Sequence, residues 1–201
     1  MMNWPITVGV ALFTLGGLTN TSAAAECSDA PVKTLNAGLL AAMTQGNTST
    51  FASRQAALTP VLAEAFDLRV ISRLVLGKVY ADLDEAQRAA FTDAFSEMVY
   101  ATYASRFKQA SGVVFKIREV REQRRSRCAV LSAIERPEQD PVRLNYLVHQ
   151  REGAWRIINV VAEGVSDLAL KRVEYGAVIK REGFDVLLAK LRAQTQILGE
   201  G

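Results

Sequence analysis

The chain contains one histidine, His149, so any Ser-His-Asp or Cys-His arrangement has to use it. It lies in Tyr146-Leu147-Val148-His149-Gln150-Arg151, where strand alternation puts it on the face opposite Tyr146 and Val148, beside charged residues. That is the position of a solvent-facing strand histidine. Asp67, Glu163 and Asp185 are carboxylates able to serve as acid or base, yet each stands where a helix cap or a turn needs one. No G-x-S-x-G, phosphate-cradling glycine loop or metal-spaced cluster occurs. Two cysteines and one histidine are too few for a closed structural zinc site. These residue types point to binding rather than catalysis, and no cofactor is implied. The enzyme-class alternative is a small hydrolase or isomerase with a pocket carboxylate, Asp67 or Glu163.

The elements that position these residues divide by period. Asp29-Ala30-Pro31 opens a helix that Gln45-Gly46-Asn47 stops. A second helix runs from Thr48 or Ser49 to Ala65, with an interruption expected at Thr59-Pro60. Asp67 caps a short helix that ends at Gly77, and Asp82-Leu83-Asp84-Glu85 opens the longest helix, which reaches Ala110. Along it Phe91, Phe95, Met98, Val99, Thr102 and Tyr103 follow the helical period. From Val113 the period becomes two. Four alternating runs, separated by turns at Arg124–Ser126, Pro137–Pro141 and Glu152-Gly153, make an antiparallel meander. Two further amphipathic helices follow, separated at Gly183. Helices segregated from consecutive antiparallel strands define an α+β fold, here a curved four-stranded sheet with several helices packed on one face.

Net charge is mildly positive, +3, and no basic stripe with interleaved aromatics appears, so nucleic acid is not an expected partner. The densest charge is Arg118–Arg127, which includes Arg121, Arg124 and Arg125. It reads as a solvated hairpin tip that keeps an edge soluble, or as a docking point for anionic headgroups or an acidic partner. Residues 1–25 carry an apolar run, Ile6–Leu18, then Thr19-Asn20-Thr21-Ser22 and Ala23-Ala24-Ala25. That run falls short of the roughly 20 residues a membrane-spanning helix needs. Followed by an Ala-x-Ala site, it reads as a signal peptide cleaved after Ala25, leaving 26–201 as a single exported domain. Cys27 and Cys128 then read as a disulfide, with two unpaired thiols and Cys128 buried in a strand as the other reading.

The stretch Tyr146–Leu191 carries Gly153-x-Trp155-Arg156-Ile157-x-Asn159-Val160, then Glu163-Gly164-Val165-Ser166, then Arg172 and Tyr175. In order and spacing it resembles the MlaC family of periplasmic lipid-binding proteins, also called the toluene-tolerance auxiliary family. Ser166-Asp167-Leu168-Ala169-Leu170-Lys171-Arg172 is most similar to its hopanoid-associated, HpnM-like branch. Positions that match the family pattern also include Phe66-Asp67 and Gly77, while Asn159 stands where the family usually has Asp.

The resemblance implies a lipid carrier, not an enzyme, with acyl chains held in an apolar cavity between helices and sheet. The implied lipid contacts are Phe66, Val70, Leu74, Phe91, Phe95, Met98, Tyr103, Phe115, Leu144, Tyr146, Trp155 and Ile157. From periodicity alone these are residues that any α+β core would bury. Arg121, Arg124, Arg125 and Arg172 are the headgroup or membrane-docking candidates, with Lys171 beside the last. The implied partners are phospholipid or another apolar lipid, an inner-membrane ABC/MCE transporter complex, and an outer-membrane lipoprotein or porin. The cavity expected for such a cargo is roughly 1,000 Å³. A dry envelope adaptor, with an exposed apolar patch and no cavity, is the non-carrier alternative.

Overall fold

The computed structural model describes residues 26–109 and 112–200. The signal peptide expected over residues 1–25 lies outside them. Helices α1 (Ala30–Thr44), α2 (Phe51–Ala65), α3 (Leu68–Leu76), α4 (Val79–Asp82) and α5 (Glu85–Arg106) precede the sheet. Strands β1 (Val114–Gln123), β2 (Arg127–Arg136), β3 (Gln139–Arg151), β4 (Ala154–Ala162) and β5 (Val165–Ser166) follow, then α6 (Asp167–Glu182) and α7 (Phe184–Glu200).

The caps explain several boundaries. Asp67 accepts from the Val70 N–H at the head of α3, Ser166 from Ala169 at the head of α6, and Asp84 forms a capping box with Gln87 on α5. Gly77 ends α3 at φ 59°, and a Cβ there would lie 2.8 Å from the Arg172 guanidinium. Glycine therefore allows both the left-handed turn and the close approach of α6.

Three helices differ from the sequence expectation, the first being the four-residue α4, which falls between Gly77 and Asp82 where no helix is expected. α2 continues through Pro60 rather than breaking. Its buried residues Arg54, Leu58, Leu62 and Ala65 straddle the proline, so packing on both sides holds the turn that has lost one backbone hydrogen bond. α5 ends at Arg106, with the Phe107 N–H donating to the Tyr103 carbonyl. Beneath that end, buried Arg54 donates from Nε to the Ala104 carbonyl at 3.0 Å and from Nη1 to Ser49 at 2.5 Å. It fixes the last turn of α5 to the start of α2.

The sheet is antiparallel in the order β1-β2-β3-β4-β5. The fifth strand, two residues long, was not anticipated; it exists because the turn at Glu163 (φ 49°) and Gly164 (φ 84°) folds Ser166 back onto Val161. Irregularities at Ile117/Glu119 and Leu147/Val148 break the ladders, and such bulges bend a sheet. Cys128, Val130, Ser132, Tyr146, Val148 and Ile157 point into the core, whereas β1, at the edge, is mostly exposed and charged. A disulfide joins Cys27, ahead of α1, to Cys128 on β2. Among the described residues no helix is long and apolar enough to cross a membrane.

Candidate functional site

The sheet packs mainly on α1, α2, α3 and α6, all of which approach β4, while α5 packs on α2, α3 and α7. α5 thus stands off from β3 and β4, and the interval is a cavity of about 240 Å³. Phe95, Met98, Val99, Thr102, Tyr103 and Arg106 line it from α5, followed by Phe107. Leu144 and Tyr146 come from β3, and Ile158, Asn159, Val160 and Ala162 from β4. Leu39, Phe66, Leu68, Ile71 and Leu168 complete the apolar wall, and Asp167, Lys171 and Gln194 supply further polar groups.

Six of the expected lipid contacts meet there: Phe66, Phe95, Met98, Tyr103, Leu144 and Tyr146. Phe91, Val70 and Ile157 are buried outside the lining, and Leu74, Phe115 and Trp155 are partly buried against the core. Phe91 stacks on Phe95 with ring centroids 5.8 Å apart, so it supports the cavity wall from behind. Ile157 accepts from the Asp67 N–H and bridges Phe66, which sets the α2–α3 junction at the cavity. Arg106, Ile158 and Ala162 carry no sequence expectation as site residues, and Val160 and Leu168 enter the sequence reading only within the family motifs, not as lipid contacts. By alternation Ile158 and Val160 share the face of β4 opposite Ile157, but the irregularity at Leu147/Val148 leaves Ile158 unpaired in the ladder, so adjacent Ile157 and Ile158 are both buried. Arg106 reads in sequence as an ordinary basic residue within the longest helix; the structure puts it in the last turn of α5, where a cation suits the helix dipole.

The space is far smaller than the roughly 1,000 Å³ expected. Aromatic rings fill much of the interval. Phe66 meets Tyr103 edge-on at 5.7 Å, Tyr103 stacks on Phe107 at 5.5 Å, and Phe107 tilts against Phe115 at 6.5 Å. Burial pushes the Tyr103 and Tyr146 hydroxyls well above the usual tyrosine range; Asp167 adds to the shift at Tyr103, and Tyr103 adds to it at Tyr146. Both phenols stay neutral, as a greasy site requires.

The acid in the lining, Asp167, is exposed and pairs with Lys171 at 3.3 Å. Asn159, in place of an acid, accepts from Ser166 Oγ at 3.1 Å and from the Leu168 N–H at 3.4 Å, so it braces the β4–α6 connection. The lining holds no histidine, cysteine or serine among the described residues. His149 is not solvent-facing as expected. Its ring is only 14% exposed and lies 2.9 Å from Asp67 Oδ2, an interaction between groups 82 residues apart. Asp67 is thereby used twice, as cap and as histidine partner, and both groups lie outside the cavity lining. Glu163 is exposed and binds the Arg143 backbone N–H and guanidinium. No cluster suited to a metal ion occurs among the described residues.

The basic candidates lie elsewhere. Arg124 and Arg125 sit in the β1–β2 turn, Arg121 is bound to Glu119 through two contacts of 2.6 Å, and Arg172 packs over Gly77. The Arg121 guanidinium holds the Glu119 carboxyl below the usual carboxylate range.

An α+β scaffold whose longest helix stands off from the sheet around an apolar interval defines a protein built to bind an apolar ligand. The chain belongs to the MlaC family: the family described as MlaC protein matches residues 33–193. A phospholipid-binding protein from Ralstonia solanacearum, solved in complex with a phospholipid, has the same fold, with a TM-score of 0.74 and 18% sequence identity. The similarity covers 84% of this chain and 97% of that one.

Proposed function

We propose that this chain is a periplasmic carrier that holds the acyl chains of a phospholipid between α5 and the sheet. It passes the lipid between the envelope membranes as the soluble component of an ABC/MCE-type transport system. The inner-membrane transporter complex and an outer-membrane lipoprotein or porin are its partners in this reading. The observation that carries it is the apolar cavity between α5 and β3–β4, lined without a buried acid. Membership of the MlaC family and the fold shared with a phospholipid-binding protein support it. The signal-peptide pattern of residues 1–25 and the Cys27–Cys128 disulfide fit an oxidising compartment. A hopanoid is the second cargo, suggested by Ser166–Arg172.

Each buried methylene contributes about 0.8 kcal/mol, so a long acyl chain gains on the order of 10 kcal/mol over water. A bilayer offers a similar gain, which is what a shuttle has to match in order both to take up and to release its cargo. A cavity of about 240 Å³ is below the usual ligand range of roughly 300–1,000 Å³. Loading therefore requires the Phe66–Tyr103–Phe107 rings to swing or α5 to move off the sheet. The proposed contacts are Phe66, Phe95, Met98, Tyr103, Leu144 and Tyr146. Transfer of labelled phospholipid from donor to acceptor vesicles tests the reading. Transfer that rises in proportion to protein supports it, whereas a rate equal to the protein-free control removes it.

A further inference from the structure

A second cavity, of about 550 Å³, lies beyond the C-terminal end of α5. Arg106 and Phe107 line both spaces, so the two cavities share a wall. The outer one is completed by the end of α1, the approach to β1 and the β2–β3 turn. Among the described residues its charged lining is Arg106 and Arg136, with no acid in the lining. Arg136 donates from Nη1 to Gln139 Oε1 at 3.2 Å across the turn, which steadies the guanidinium while leaving it other donors. In the inner cavity Lys171 is compensated by Asp167 at 3.3 Å. Arg106 makes no ion pair among the described residues, so it is the uncompensated charge where the cavities meet.

We infer that Arg106 and Arg136 form a phosphate subsite that takes the headgroup of the bound lipid at the mouth of the acyl cavity. Guanidinium groups present paired N–H donors that match phosphate oxygens. Both arginines are exposed, so a phosphate held between them keeps contact with water and neither charge has to be stripped of solvent. The shared wall offers a ring and a guanidinium side by side, which suits a molecule that changes from apolar to anionic at that point. This inference rests on the carrier reading. It also concerns residues distinct from Arg121, Arg124, Arg125 and Arg172.

The test compares phosphatidylglycerol with diacylglycerol of the same chains, each supplied in neutral vesicles to delipidated protein, for the native chain, Arg106→Met, Arg136→Met and Arg106→Lys. The native chain is expected to prefer phosphatidylglycerol. Each methionine variant should lose about tenfold of that preference, and Arg106→Lys should keep part of it. A retained cooperative thermal transition shows that the variants are folded, and Arg136→Met, which lies outside the acyl cavity, should also take up diacylglycerol unchanged. Equal uptake of the two lipids by the native chain, or a preference that survives both methionine variants, overturns the subsite and leaves the carrier reading standing. Uptake of neither lipid overturns both. Inorganic phosphate supplied alone distinguishes the sources: binding of phosphate that depends on Arg106, with lipid preference independent of it, makes this a free-anion site and overturns the headgroup assignment.

Discussion

Filling the inner cavity should strengthen the empty protein and weaken the loaded one. Val160 lines the cavity from β4, paired with Tyr146 across the β3–β4 ladder, and is partly buried. The space opens toward exposed Arg106 and Asp167, so filling it gains through apolar surface removed from water, about 25 cal/mol per Å². Phenylalanine is well accommodated in strands, so Val160→Phe introduces an apolar ring without disturbing the ladder. A ring that buries about 60 Å² more apolar surface than valine gains about 1.5 kcal/mol and raises the Tm of the delipidated protein by about 3–6 °C. The same ring displaces two or three methylenes of ligand, about 2 kcal/mol, and weakens acyl-chain binding roughly thirtyfold. Calorimetry of the delipidated protein and equilibrium partition of a labelled phospholipid from vesicles read the two effects. A higher Tm with unchanged lipid uptake would place the acyl chains elsewhere. A lower Tm with unchanged uptake would mean that the ring strikes a wall and that the space is not the binding site.

Reduction of the Cys27–Cys128 disulfide, whose cysteines are 101 residues apart, removes up to about 4.7 kcal/mol in the entropic account; the Tm should fall by about 10 °C in dithiothreitol, with lipid uptake retained below the transition. A shift of under a degree would show that the bridge constrains little. Tyr100, Tyr103, Tyr146 and Tyr175 are all raised above the usual tyrosine value, chiefly by burial. Their stabilisation is complete below the unfolded value of about 10 and is lost as pH rises toward the folded values. Phenolate absorbance should therefore appear together with alkaline unfolding, and full ionisation of a still-folded protein near about pH 11 would contradict this. Joint neutralisation of Arg121, Arg124 and Arg125 should slow transfer from anionic vesicles by about tenfold at low salt, with the difference vanishing at high salt. Equal transfer at both salt concentrations would leave the hairpin tip a solubility device.

Features decided within a few residues were legible in the sequence. The caps at Asp67 and Ser166, the turn at Glu163-Gly164 and the change from helical to strand period all follow from local chemistry, and the structure bears them out. Features set by distant neighbours were not. Periodicity identifies Phe91 and Phe95 as one inward face, but only packing puts Phe95 against empty space and Phe91 behind it. The His149–Asp67 contact spans β3 and the α2–α3 junction, so alternation alone turned the histidine the wrong way. Pro60 remains helical because residues on either side of it are buried, a tertiary effect that outweighs a local preference. Arg106 carries no local signal; its role as a shared wall exists only once the end of α5 meets the β2–β3 turn.

Native mass spectrometry tests the central claim most directly, on protein exported to a periplasm and purified without detergent, followed by solvent extraction and identification of the extract. The account predicts a stoichiometric adduct that disappears on extraction and is recovered as phospholipid, or as a hopanoid. It also predicts that Val160→Phe, prepared in parallel, carries much less of it. A bare mass that remains bare after incubation with vesicles would contradict the account.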